Sequence, residues 1–187
     1  MGPLRRLFLS AIFLFSAACH PENSVPLQSE NGDTRVKIEW VYKNFPAEIT
    51  IHELKRGKEA VLWQTGSALD IKDTPIGDEI DQGVFAVQQG KEKYFVLAAK
   101  NKTAKPIYFF AAPHHLLPAE AGLGFQFKCL CVNHLFAIKP NETWYRIVRL
   151  RLTRENHIAS ITISHDIVGI DKKGREEYLI DAAEPKG

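Results

Sequence analysis

From Arg35 onward, apolar and polar side chains alternate. Val36, Ile38, Trp40 and Tyr42 are separated by charged or polar residues, Val41 excepted. A period of two marks a half-buried strand. Glu48 to Leu54 predicts a second strand with Ile49 and Ile51 inward, and Val61-Leu62-Trp63 a third. Lys93 to Lys100 and Ile107 to Ala112 are β-prone, and the turn Asn101 to Pro106 between them predicts a hairpin or an inter-sheet corner. Phe125 to Val132 is again β-like. In Trp144 to Leu152 the row Trp144, Arg146, Val148, Leu150 interleaves with Tyr145, Ile147, Arg149, Arg151. Ile158 to Ile170 is rich in β-branched residues, and Lys172-Lys173-Gly174 predicts a turn into a last short strand, Glu177 to Ile180. No segment carries a long helical period. Short strands divided by turn signals at intervals of about 8–12 residues predict an all-β sandwich or barrel.

The alternation starts late. Met1 to Arg6 is short and basic, Leu7 to Phe15 is apolar, and Ser16-Ala17-Ala18 precedes Cys19. This order predicts a secretory signal over residues 1–19, with an apolar run too short to span a bilayer. Small residues before a cysteine also fit a lipobox, in which Cys19 is acylated and the exported domain is anchored to a bacterial membrane on its periplasmic face. Ser16 stands where that pattern has a branched aliphatic residue. The plainer alternative is cleavage near Ala18 with Cys19 left over. Residues 20–34 are polar and hold Pro21, Pro26 and Gly32, which predicts a flexible tether. The β-sandwich domain is then expected over 35–183.

Charge narrows the function classes. The formal net charge is +2, and Arg5 and Arg6 in the leader account for it. A neutral domain with no basic patch among aromatics gives no sign of a nucleic-acid partner. Thr65 to Gln82 carries Asp70, Asp73, Asp78, Glu79 and Asp81; these acids follow no EF-hand order, and the stretch predicts a solvated surface loop. GxSxG, HExxH, phosphate-loop and dinucleotide motifs are all lacking, so nothing points to an enzyme.

The chemistry concentrates in Phe125-Gln126-Phe127-Lys128-Cys129-Leu130-Cys131-Val132. In an extended strand Cys129 and Cys131 project side by side, with Cα atoms about 6.6 Å apart. That separation, with parallel Cβ vectors, disfavours a clean disulfide, although a strained and reducible bridge stays open in an oxidising compartment. Paired thiolates suit a soft ion such as Cu(I) or Zn. Strand parity also puts Phe125 and Phe127 on the cysteines' face, which fits simple core packing; a strand end after Phe127 would be needed to bring the sulfurs to the surface. His134 could add a nitrogen ligand, as could the His114-His115 pair. The sole methionine is Met1, which excludes thioether-rich copper sites.

Four segments between about Tyr94 and Ile170 carry a resemblance. "YFVLAAKNKTAKPIYFFAA", "LLPAEAGLGFQFK", "CLCVNHLFAIKPNE" and "SITISHDIVGI" are similar, in order and spacing, to segments of the CtaG-type cytochrome c oxidase assembly factors, which are copper chaperones for the CuB centre. The resemblance implies an immunoglobulin-like β-sandwich and Cu(I) held by Cys129 and Cys131. It also implies a homodimer sharing copper between paired motifs, and delivery to a cytochrome c oxidase subunit or another cuproprotein. Leu130 and Val132 replace the motif's phenylalanines, Asn141 replaces a turn glycine, and a short leader replaces a membrane helix. Two other functions fit the residues: a thiol–disulfide partner for cuproprotein cysteines, and a structural or binding lipoprotein without metal.

Overall fold

The structure, a computed structural model, describes residues 33–130 and 134–183. The predicted leader over 1–19 with its Cys19 lipidation site, most of the 20–34 tether, and Cys131 lie outside the described residues. The all-β sandwich expected from the alternation is the fold. The strands are β1 (Asp33–Lys43), β2 (Ile49–Leu54), β3 (Thr65–Ala68), β4 (Ile76–Glu79), β5 (Val84–Gln88), β6 (Glu92–Lys100), β7 (Ile107–Ala111), β8 (His115–Leu117), β9 (Phe125–Lys128), β10 (Phe136–Ile138), β11 (Thr143–Leu152) and β12 (Ser160–Ile170), followed by one helix, α1 (Lys172–Ala183). One sheet has the order β10-β7-β12-β1-β5, with β8 also on β12. The other runs β3-β11-β6-β2-β4, with β9 also on β11.

Inward rows from the two sheets make the core. β12 contributes Ile161, Ile163, His165 and Ile167, and β11 contributes Trp144, Arg146, Val148 and Leu150, all buried. Gly169 ends the β12 row because a Cβ there would meet the Asn44 carbonyl oxygen at 2.1 Å. β1 and β12 pair in parallel from Arg35↔Ser160 to Lys43↔Val168. Strand β1 begins at Asp33, and Thr34 is fully buried with its hydroxyl donating to the Ile158 carbonyl at 2.8 Å. The tether therefore ends two residues earlier than expected.

Three further expectations are corrected. Val61-Leu62-Trp63 forms no strand: Trp63 has φ +66°, and Gln64 N–H closes a turn onto the Val61 carbonyl. The acidic stretch from Thr65 to Gln82 is not all loop, since β3 and β4 lie within it. The last strand, Glu177 to Ile180, is part of α1. Asp171 caps that helix, accepting from Gly174 N–H at 2.8 Å, and Lys172–Glu176 and Lys173–Glu177 pair four residues apart. A cap and two ion pairs at helical spacing outweigh the β-prone Tyr178-Leu179-Ile180 run.

The Asn101 turn is an inter-sheet corner, because β6 and β7 belong to different sheets. Asn101 is fully buried and satisfied on both ends of its amide. Its Nδ2 donates to the Lys105 and Ile138 carbonyls at 2.8 and 3.0 Å, and its Oδ1 accepts from Thr103 N–H and Oγ1, each at 2.8 Å. Asn141 N–H donates to the Asn101 carbonyl at 3.0 Å. Asn141 itself has φ +63°, a left-handed position that glycine suits and asparagine tolerates. Asn101→Ala leaves buried carbonyls and N–H groups without partners and should destabilise the domain by about 2–4 kcal/mol. Urea denaturation measures this, and a loss below about 1 kcal/mol would show that water replaces the amide.

Candidate metal centre

His114, Cys129 and His165 come from distant parts of the chain and converge inside the sandwich. His165 lies in the inward isoleucine row of β12, directly paired with Trp40 of β1. Its imidazole stacks on the Trp40 indole with centroids 5.4 Å apart and is fully buried.

His114 reaches the same place through a break in the ladder. β7 pairs with β12 up to Ala111↔Ile167, Ala112 N–H donates to the Asp166 carbonyl, and pairing resumes at His115↔Ser164. Pro113 and His114 thus oppose the single residue His165, a two-against-one bulge at a proline that has no N–H to give. The bulge aims His114 inward, with its ring 5.2 Å from that of His165.

Cys129 enters from the other sheet. β9 pairs with β11 up to Lys128↔Arg149. The ladder stops there because the next β11 backbone groups are taken: Trp63 N–H donates to the Ile147 carbonyl at 3.0 Å, and Ile147 N–H to the Gln64 carbonyl at 2.9 Å. The strand end after Phe127 therefore exists, one residue later, yet it does not bring the sulfur out. Cys129 keeps the inward parity of Phe127 and is 2% exposed. Strand β9 ends at Lys128, before Cys129; the side-by-side geometry expected of Cys129 and Cys131 involves a residue outside the described ones.

The three residues place their ligand atoms within 4.8 Å of one another. Cys129 Sγ is 3.8 Å from His114 Nδ1, in range for an S–H···N hydrogen bond. It is also the separation an ion would need. With metal–sulfur and metal–nitrogen bonds of about 2.3 and 2.05 Å, two ligands at tetrahedral to trigonal angles lie about 3.6–3.8 Å apart. The donor set, one thiolate and two imidazoles, suits copper and zinc. Phe127 flanks both rings at 5.7 Å, and Phe125 flanks His114 at 5.7 Å. These aromatics and Trp40 leave His114 as the half-buried member of the set.

His134 is not among them. It is exposed and packs edge-on against Phe136, with centroids 4.9 Å apart. His115 is exposed on β8. Sequence reading reached Cys129 and considered His114 but missed His165. The signal was available, since His165 shares parity with Ile161, Ile163 and Ile167.

A charged side chain adjoins the cluster. Arg146, in the inward row of β11, is 7% exposed, donates from Nη1 to Thr65 Oγ1 at 2.7 Å and lies 5.2 Å from the Phe136 ring centre. Burial pushes its pKa below the ordinary guanidinium value, and the charge of Cys129 acts in the opposite sense.

No curated protein matches the chain. A family of domains does: residues 34–170, from the second residue of β1 to the end of β12, match a domain of unknown function, DUF8709. The match takes in every strand and all three residues of the cluster, and the chain belongs to the DUF8709 family.

Proposed function

We propose that this protein is a Cu(I)-binding metallochaperone whose ion is held by Cys129 with His114 and His165. The observation that carries the reading is the convergence of one sulfur and two imidazoles, from both sheets, to within 4.8 Å. The resemblance to CtaG-type assembly factors favours copper among the ions those donors accept. In this reading the protein is exported, anchored through Cys19 at the periplasmic face of the membrane, and passes copper to a respiratory oxidase or another cuproprotein. It is a carrier and not a catalyst. The half-buried His114, on its bulge, is the ligand that a receiving protein displaces first. All three ligands come from one chain, so copper sharing in a homodimer is not required for binding; Cys131 would serve as a further sulfur on the transfer path.

The second reading is a structural core without metal. The 2% exposure of Cys129 and full burial of His165 favour it. That same burial weighs against thiol–disulfide exchange, which needs a sulfur within reach of another.

Titration of the reduced full chain with Cu(I), against a chelator of known affinity, separates the readings. The expected result is one tightly held ion per chain. Failure to draw any copper from a weak chelator would leave the structural reading.

A further inference from the structure

Arg146 raises a question of charge balance. Among the described residues it is the one Lys, Arg, Asp or Glu side chain that is buried, so no carboxylate is buried with it. The ion pairs among the described residues join other side chains at the surface. Its hydrogen bond to Thr65 and its place over Phe136 fix the guanidinium inside the sandwich. Lys128 pairs with Arg149, so the inward-facing Cys129 that follows it comes beside Val148, the neighbour of Arg146 in the inward row of β11, and the two groups interact electrostatically. A buried cation without a carboxylate in ion-pair range is costly, and the Cys129 sulfur is the compensating group at hand once ionised.

We infer that Arg146 is a specificity-determining residue of the metal centre and biases it toward monovalent over divalent ions. The inference rests on the metal-binding reading given above. With a thiolate, a guanidinium and two neutral imidazoles, the pocket sums to zero. A monovalent ion leaves one net positive charge there, and a divalent ion leaves two. Aromatic rings and the two sheets keep water from screening the excess, so Arg146 opposes the divalent ion twice as strongly. Cu(I) and Zn(II) isolate this effect, since both have closed d shells and accept the same donors.

The test titrates the reduced full chain and three variants with Cu(I) and Zn(II) separately, each against chelators of known affinity. In Arg146→Met the affinity for Zn(II) relative to Cu(I) should rise at least about tenfold. Arg146→Lys keeps the charge and should hold the ratio within about threefold. Thr65→Val removes the anchor of Nη1 from an exposed edge position and should give an intermediate shift; it decides the matter if Arg146→Met does not fold. An unchanged ratio in folded Arg146→Met, or wild-type protein that prefers Zn(II), overturns the role of Arg146 and leaves the metal centre standing. Wild-type protein that binds neither ion removes the centre itself and the inference with it.

Discussion

Cys129→Ala and His165→Leu should each weaken Cu(I) binding by at least about a hundredfold while the sandwich stays folded. Loss of a group that only orients a ligand costs 10–100-fold in metal affinity, so loss of a ligand should reach or exceed that. The replacements are chosen to spare the fold. Alanine at 129 adds no polar atom to a site in the apolar core cluster. Leucine at 165 extends a row already made of Ile161, Ile163 and Ile167 and adds no polar atom to the core. Competition titration gives the affinity, and a thermal melt gives the fold. Undiminished binding in His165→Leu would remove that imidazole from the ligand set. A collapse of stability in both variants, together with no copper uptake by the parent protein, would mark the cluster as structural.

Phe109→Ala should destabilise the domain by about 3–5 kcal/mol. Phe109 is fully buried, and its ring meets three other aromatics: Phe45 at 4.9 Å, Phe136 at 5.2 Å and Trp144 at 5.3 Å. These neighbours come from the β1–β2 connection, β10 and β11, so the ring joins both sheets and a connecting loop. Large rings held in place on three sides relax poorly into a void. Equilibrium denaturation measures the loss, and a cost below about 2 kcal/mol would mean that Trp144 or Phe45 moves to fill the space.

Most of the fold was legible because a period of two needs no knowledge of neighbours. β1, β11 and β12 could be read directly from alternating residues such as Val36, Ile38 and Trp40. What could not be read is which strand pairs with which. The cysteine stretch ends its ladder at Lys128 because the loop at Trp63 and Gln64 occupies the backbone of Ile147, and nothing local to Cys129 announces that. Likewise His114 matters because Pro113 creates a bulge opposite His165, a relation across some fifty residues of chain. Alternation put Arg146 in one row with Trp144, Val148 and Leu150 at the outset, and reading the same parity in Ile158 to Ile170 would have found His165. The helix was hidden for another reason: its cap and ion pairs are polar signals in a stretch judged by its apolar ones.

The parallel pairing of the first and last strands has a mechanical consequence. A pull on the chain ahead of Asp33 and beyond Ile170 drags these two strands in opposite directions along their common length. The nine paired positions from Arg35↔Ser160 to Lys43↔Val168 then bear the load in shear, together, and cannot unzip one at a time. A domain tethered to a surface on one side and grasped by a partner on the other would yield late under tension, and its core would open only after that whole ladder had slipped.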